Sequence, residues 1–239
     1  MNLQYGRIYS RWHSYDPGHL EAMKAHFGRI LRTRLPDSRS TPVLDLGCAM
    51  GFALLTLREM GFTTLLGIDT DPGLVEGCRL RGLPVERTED SLAFLEGRGG
   101  EFGLILALDI LEHLPPEDLP AYLGAMGRAL APGGRVIATV PNADSPLAER
   151  WRSLCWTHRN SFTRESLGEL LEATGFRIIS LEGFEVVDPG RSLSPRSLLR
   201  RLLLRLQRRV RRWELWSEGV DPSLPLSLDL ICVAERGQG

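Results

Sequence analysis

Two glycines and two aspartates in the first third of the chain set the chemistry. Gly47 and Gly51 frame the run Asp45-Leu46-Gly47-Cys48-Ala49-Met50-Gly51, and Asp69 follows 18 positions after Gly51. Glycines leaving a strand end supply the positive φ that a tight turn needs and let a ligand approach the backbone without a Cβ in the way. The G-x-x-x-G spacing lacks the third glycine of the dinucleotide fingerprint, and Asp45 lies two residues ahead of the first glycine, so the turn suits a cationic ligand better than a pyrophosphate. An acid about 20 residues further on, ending a second short strand, is placed to bind both hydroxyls of a ribose. A nucleoside-containing ligand is expected.

These residues need a strand, a turn and a helix behind them. Val43 to Leu46 is a short apolar strand, and the run Phe52, Leu54, Leu55, Leu57 and Met60 has helical periodicity. Further strands are expected at Leu65 to Ile68, Val85 to Arg87, Phe102 to Leu108 and Arg135 to Val140, with helices between them. That alternation predicts an α/β fold with a doubly wound parallel sheet. Two late strands, Phe176 to Val187 and Leu226 to Ala234, bring the count to seven. Ahead of the sheet, residues 1–40 form an added helical segment with a helix from His19 to Leu35. Its aromatics, Tyr5, Tyr9, Trp12 and Tyr15, either pack the segment onto the domain or form a lid whose faces shelter a cation. Residues 41–239 are the main domain.

The motifs D-L-G-C-A-M-G, G-I-D, E-D-S and L-D-I-L-E-H-L, in this order over residues 43–114, resemble a class I S-adenosylmethionine-dependent methyltransferase. Leu130-Ala131-Pro132-Gly133-Gly134 with Val140-Pro141-Asn142 resembles that family's turn into its fifth strand. The resemblance implies a Rossmann-like seven-stranded sheet whose last strand runs antiparallel. It also implies S-adenosylmethionine as methyl donor, S-adenosylhomocysteine as product, and a small-molecule or glycan- or lipid-linked acceptor, methylated at a hydroxyl oxygen. Carried over motif by motif, the cofactor residues are Asp45, Gly47, Cys48, Gly51, Phe52, Asp69, Thr70, Asp90, Ser91, Leu108 and Asp109. Asp90 could bond the adenine amino group or simply cap a helix.

Leu108 to Leu114 lies at the carboxyl end of the fourth strand, where doubly wound sheets place ligands. By resemblance, His113 lies near the methyl acceptor and His158, in Trp156-Thr157-His158-Arg159-Asn160-Ser161-Phe162-Thr163, at the mouth of the acceptor pocket. Either could serve as general base, or Glu112, His113 and His158 could brace their loops through hydrogen bonds. D-x-x-E-H is also close to the E-x-x-E-H with which some quinone O-methyltransferases hold a divalent cation. Two or three ligands with no other cluster make a poor metal site, so no metal is expected.

Segment 188–225, between the last two strands, differs in composition from its surroundings. Nine arginines and no acid occur from Arg191 to Arg212. Arg201, Arg205, Arg208 and Arg212 recur on one helical face, and Leu198, Leu202, Leu206, Val210 and Trp213 on another. Such a basic amphipathic helix at 196–212 could cap the domain with its leucines inward, lie on an anionic membrane surface, or clamp a phosphate-bearing acceptor.

A chain of 239 residues, 43% apolar, is ample for one core, and a formal net charge of −1 gives no overall case for nucleic acid. Cys48, Cys78, Cys155 and Cys232 lack metal spacing and read as reduced thiols. With neither a spanning segment nor a signal-peptide core, the expected place is the cytoplasm, peripheral to the inner face of the membrane if the basic helix binds there. Two alternatives stand beside a methyltransferase: a nicotinamide-dependent oxidoreductase, against which Asp45 and the missing glycine count, and a non-catalytic membrane-associated binding protein on the same fold.

Overall fold

The computed structural model describes residues 5–185, 194–221 and 223–237. Seven strands form one sheet: β1 (Val43–Leu46), β2 (Leu65–Asp69), β3 (Val85–Arg87), β4 (Phe102–Leu108), β5 (Leu130–Pro141), β6 (Phe176–Phe184) and β7 (Asp229–Arg236). Their order is β3-β2-β1-β4-β5-β7-β6. β1 to β5 pair in parallel, and β7 runs antiparallel to both β5 and β6. The chain winds outward from β1 to β3, then restarts at β4 on the other side of β1. This reversal opens a crevice at the carboxyl ends of β1 and β4, the general ligand position in such sheets.

All four β1 residues are buried because helices cover both faces of the sheet. Alternate side chains feed two cores. Leu44, Leu46, Ile105 and Ala107 pack with α5 (Ser91–Glu96), α6 (Leu119–Ala129) and α8 (Arg164–Ala173) through Leu95, Leu123, Met126, Leu167 and Leu171. Val43, Leu104 and Leu106 pack with α2 (Pro17–Leu31) and α3 (Phe52–Glu59) through Ile30, Leu31, Ala53 and Leu57. Along β4, Leu104 and Leu106 thus face one layer and Ile105 and Ala107 the other, consistent with a period of two.

Several boundaries differ from the sequence expectation. β5 starts at Leu130 because that residue pairs with Phe102 before a bulge, and regular pairing resumes only at Arg135. β7 starts at Asp229, since the carbonyls of Pro225 and Ser227 are taken by the side-chain amide of Asn142 instead of by a neighbouring strand. β6 ends at Phe184, and the expected Val186 and Val187 lie outside the described residues. α2 ends at Leu31, four residues early, in a turn in which the amides of Arg34 and Leu35 both reach the carbonyl of Leu31.

The N-terminal segment, with α1 (Tyr5–Tyr9) and α2, packs Tyr9 and Tyr15 onto the domain. Tyr9 stacks on His13 at 4.2 Å, and the rings of His13, Tyr15 and His19 lie 5.6–6.1 Å from Phe52. The Tyr15 hydroxyl donates to the Met50 carbonyl, and the Arg81 guanidinium covers its face at 3.2 Å. Only Trp12 among the described rings of this segment is largely exposed, at 66%. Tyr9 and Tyr15 thus pack on the domain, and Trp12 faces solvent. The four cysteines are free.

Candidate cofactor cleft and acceptor site

The turn after β1 is built from left-handed backbone. Gly47 (φ 70°), Ala49 (φ 46°) and Gly51 (φ 70°) alternate through it. A Cβ on Gly47 would stand 2.7 Å from Ile110 Cδ1, and one on Gly51 2.5 Å from Leu83 Cδ1. Gly47 is thus where the loops after β1 and β4 close on each other across the crevice. Ala49 carries strain that glycine would avoid, of order 1 kcal/mol or more, and its conformation must be held from outside. Asp69, at the end of β2, holds it: its carboxylate accepts the Ala49 amide at 2.8 Å and the Asp71 amide at 2.9 Å. Burial pushes the Asp69 carboxyl above its ordinary range despite those bonds. Asp71, not singled out from sequence, caps α4 (Pro72–Arg79) and accepts the Gly6 amide at 2.7 Å, so it ties the N-terminal segment to the β2 turn. Its signal in the sequence was D-x-D followed by proline.

Three of the expected cofactor residues are buried behind this turn. Asp45 is 4% exposed inside β1, and burial, followed by the nearby Cys78 and Asp69, raises its carboxyl to about 8. The neighbouring Cys78 thiol, and after it burial, pushes the Cys48 thiol far up. Phe52 is 2% exposed under the N-terminal rings. A cavity of about 490 Å³ lies beside the turn, between the N-terminal segment and α4, and is lined by Gly6, Ser10, Tyr15, Met50, Asp71 and Leu74.

Thr70 is exposed beyond the β2 end. Asp90 is the N-cap of α5 and accepts the Ala93 amide at 2.9 Å, so the capping reading is satisfied with one of its oxygens. Ser91 bonds the Tyr122 hydroxyl at 3.0 Å. Leu108 ends β4, and Asp109 follows it in a left-handed conformation, φ 53°. Thr139 on β5 holds that turn: its hydroxyl donates to Asp109 Oδ1 at 2.8 Å and, like its carbonyl, accepts the Asp109 amide at 3.1 Å. A lone threonine in the apolar run of β5 was the available signal.

The next turn, Leu111–His113, brings the two sequence-separated histidines together. Their rings meet edge to face with centroids 4.7 Å apart. His113 Nδ1 is 2.9 Å from the Thr157 hydroxyl, which is 3.0 Å from Cys155 Sγ. Asn160 clamps the two loops, its side-chain amide donating to the carbonyls of Leu114 (2.6 Å) and Leu111 (3.2 Å), while the amides of Arg159 and Asn160 reach the Glu112 carbonyl. Burial, then His158, lowers His113 to about 4. Burial lowers His158 as well, against the pull of Asp109. Both imidazoles are therefore neutral at neutral pH and can accept a proton.

Four buried side-chain atoms lack a hydrogen-bond partner among the described residues: Glu112 Oε2 and His158 Nδ1 in these two loops, and Asp144 Oδ2 and Trp151 Nε1 in the segment between β5 and α8. Buried polar groups are normally paired, so an unpaired nitrogen on one histidine of the pair marks a place prepared for something polar. Glu112 is 1% exposed, and burial, then Asp109, raises its carboxyl well above the usual range. Among the described residues, His113, Cys155 and His158 are a group that could hold a metal, their donor atoms lying within 4.8 Å of one another. This set differs from Asp109, Glu112 and His113, the three considered from sequence, because Glu112 is folded into the interior.

Residues 19–181 match a family described as a methyltransferase domain. The chain belongs to that methyltransferase family. Its curated relatives include a ubiquinone biosynthesis O-methyltransferase of Azorhizobium caulinodans, 27% identical over 75% of this chain and 76% of that protein, and one of Methylobacterium nodulans, 29% identical over 49% and 47%. The chain spans about half the length of the first of its matched relatives, 47%. Among solved structures, a SAM-dependent methyltransferase from Archaeoglobus fulgidus superposes with a TM-score of 0.67 at 20% identity, covering 91% of this chain and 94% of that one. A Burkholderia thailandensis N1-methyltransferase bound to S-adenosylhomocysteine superposes at 0.58 with 18% identity, covering 91% and 79%. The methyltransferase fold, with its antiparallel final strand, is thus the one expected from the motifs.

Proposed function

We propose that this methyltransferase moves the methyl group of S-adenosylmethionine onto a hydroxyl oxygen of a small-molecule acceptor, glycan- or lipid-linked acceptors included. The observation that carries the reading is the pairing of two neutral histidines, 4.7 Å apart: His113 on the β4 loop that closes against the glycine turn of β1, and His158 on the loop before α8 that is clasped to it. A ligand bound to the turn and a hydroxyl beside the imidazoles would be next to each other.

The residues fit the cofactor. Gly47 lets the β4 loop, through Ile110, close onto the backbone of the turn, and its positive φ favours glycine there. Asp69 would take the ribose hydroxyls, Asp90 the adenine amino group through the oxygen that does not cap α5, and the backbone at Leu108 and Asp109 would border the methionine part. S-adenosylmethionine supplies a methyl group already activated by a sulfonium. The protein's share is therefore alignment and removal of one proton.

His158 is the better base of the two, because burial depresses it against a bond to the Trp151 backbone and the pull of Asp109, whereas in His113 burial and the His158 charge are opposed only by the Thr157 backbone. His113, fixed by Thr157, orients the pair. A histidine here would take the acceptor hydroxyl's proton as the oxygen–methyl bond formed and the methyl–sulfur bond broke, leaving S-adenosylhomocysteine. Turnover and cofactor affinity of His158→Gln and His113→Gln test this. Loss of about 100-fold in turnover at unchanged cofactor affinity is expected for His158→Gln. Normal turnover in both variants would leave alignment as the whole mechanism.

A further inference from the structure

The helix α9 (Pro195–Ser217) is mounted with its polar strip towards the domain and its apolar strip towards solvent. The less exposed positions are Ser197, Arg201, Leu204, Arg208, Arg211 and Leu215, recurring every three or four residues, and only Leu215 is fully buried. Three of these six are arginines. Arg208 is paired with Glu185, and Arg211 Nε reaches the Asp144 carbonyl at 3.5 Å. At about 100° per residue, Leu199, Leu202, Leu206, Val210 and Trp213 point the opposite way. They are exposed by 56, 62, 58, 46 and 70%, and Trp216 by 69%. The leucine-inward cap considered from sequence is therefore not what this helix forms.

We infer that α9 is an interfacial anchor that lays its leucine and tryptophan strip into the surface of an anionic lipid bilayer. Charge complementarity selects the bilayer. The helix carries eight arginines against the single acid Glu214, and Arg196, Arg200, Arg205, Arg209 and Arg212 flank the apolar strip on both sides, where their heads would meet lipid phosphates as their stems follow the acyl boundary. A second copy of the chain fits poorly, because a two-fold pairing of these strips would set like-charged flanks against each other. A clamp for a phosphorylated acceptor needs the arginines and has no use for exposed leucines. The helix is long enough to lie in the surface, but no helix among the described residues is long and apolar enough to cross a membrane. The anchor is also on the acceptor side of the fold: Asp144, which Arg211 touches, lies in the loop after β5 that is bonded to Phe162 just beyond His158. An acceptor carried in the bilayer would arrive at the edge that holds the histidines.

The test mixes the full chain with vesicles of phosphatidylcholine alone or with about 30% phosphatidylglycerol, at about 50 mM and about 500 mM salt, and sediments them. Three proteins are compared: the natural chain, an arginine variant (R200Q, R205Q, R209Q, R212Q) and an apolar variant (L202Q, L206Q, V210Q). The natural chain should pellet with anionic vesicles at low salt. High salt, uncharged vesicles and either variant should each reduce binding by about tenfold or more, while S-adenosylhomocysteine affinity, measured by calorimetry, stays unchanged in all three. Negligible pelleting of the natural chain with anionic vesicles overturns the inference. So does equal pelleting of the apolar variant, which would leave only a charge clamp. A concentration-dependent dimer that the apolar variant abolishes, without vesicle binding, would give the strip to a second copy. Cofactor binding is read independently, so failure of the anchor and failure of the methyltransferase reading are separate outcomes.

Discussion

Replacing Asp45 by asparagine tests the electrostatics beneath the glycine turn. The carboxyl is enclosed in β1, and its environment lifts it from 3.8 to about 8, burial first and the neighbouring Cys78 and Asp69 after it. In the unfolded chain the group ionises near its ordinary value, so between those two values the folded state holds a proton that the unfolded state has lost. Stability then falls as pH rises, by up to about 1.36 kcal/mol per unit. From about pH 5 to about pH 7.5 this one group should remove about 3 kcal/mol from the natural protein and nothing from Asp45→Asn. Glu112 and Asp229, also buried and raised, act in the same direction in both proteins and cancel in the comparison. Urea unfolding of both at the two pH values gives the difference directly. Comparing slopes with pH, instead of absolute stabilities, removes any offset from the altered hydrogen bonding of the amide. Parallel pH dependences in the two proteins would refute the reasoning and mean that Asp45 is ionised in the folded state.

Asp69→Ala should weaken S-adenosylhomocysteine binding by about 2 kcal/mol, roughly 30-fold, because the carboxylate is lost both to the ribose and to the Ala49 amide; calorimetry with unchanged affinity would count against it. Gly47→Ala should cost about 1–2 kcal/mol of backbone strain in addition to the clash with Ile110, so adding Ile110→Ala should restore only part of the loss in thermal unfolding, and full restoration would mean that φ at Gly47 is unimportant. The acid limb of turnover should lie below 6.5, since both histidines stay deprotonated to lower pH than usual; a limb at or above that value in a pH-rate profile would contradict their burial. Asn160→Ala should lower stability by about 1–3 kcal/mol and loosen the His113 loop from the His158 loop, visible as faster amide exchange at residues 111–114.

Much was legible along the chain because it depends on local order. The strand-turn-helix at Val43 to Glu59, the acid ending β2, the cap at Asp90 and the basic amphipathic pattern of α9 are each set within a few residues by periodicity, φ requirements and capping chemistry. What tertiary structure alone decided is which distant groups meet and which face is covered. His113 and His158 are 45 positions apart and become an edge-to-face pair only when Asn160 and the Glu112 carbonyl clasp their loops. Asp45 and Asp69 are both acids beside the turn in the sequence, yet Asp45 is enclosed by two helical layers while Asp69 bonds two amides at the crevice. Periodicity marks two faces on α9 but not which one meets the protein. That was decided by Glu185 and the Asp144 carbonyl, which draw its arginines inward and leave the leucines outside.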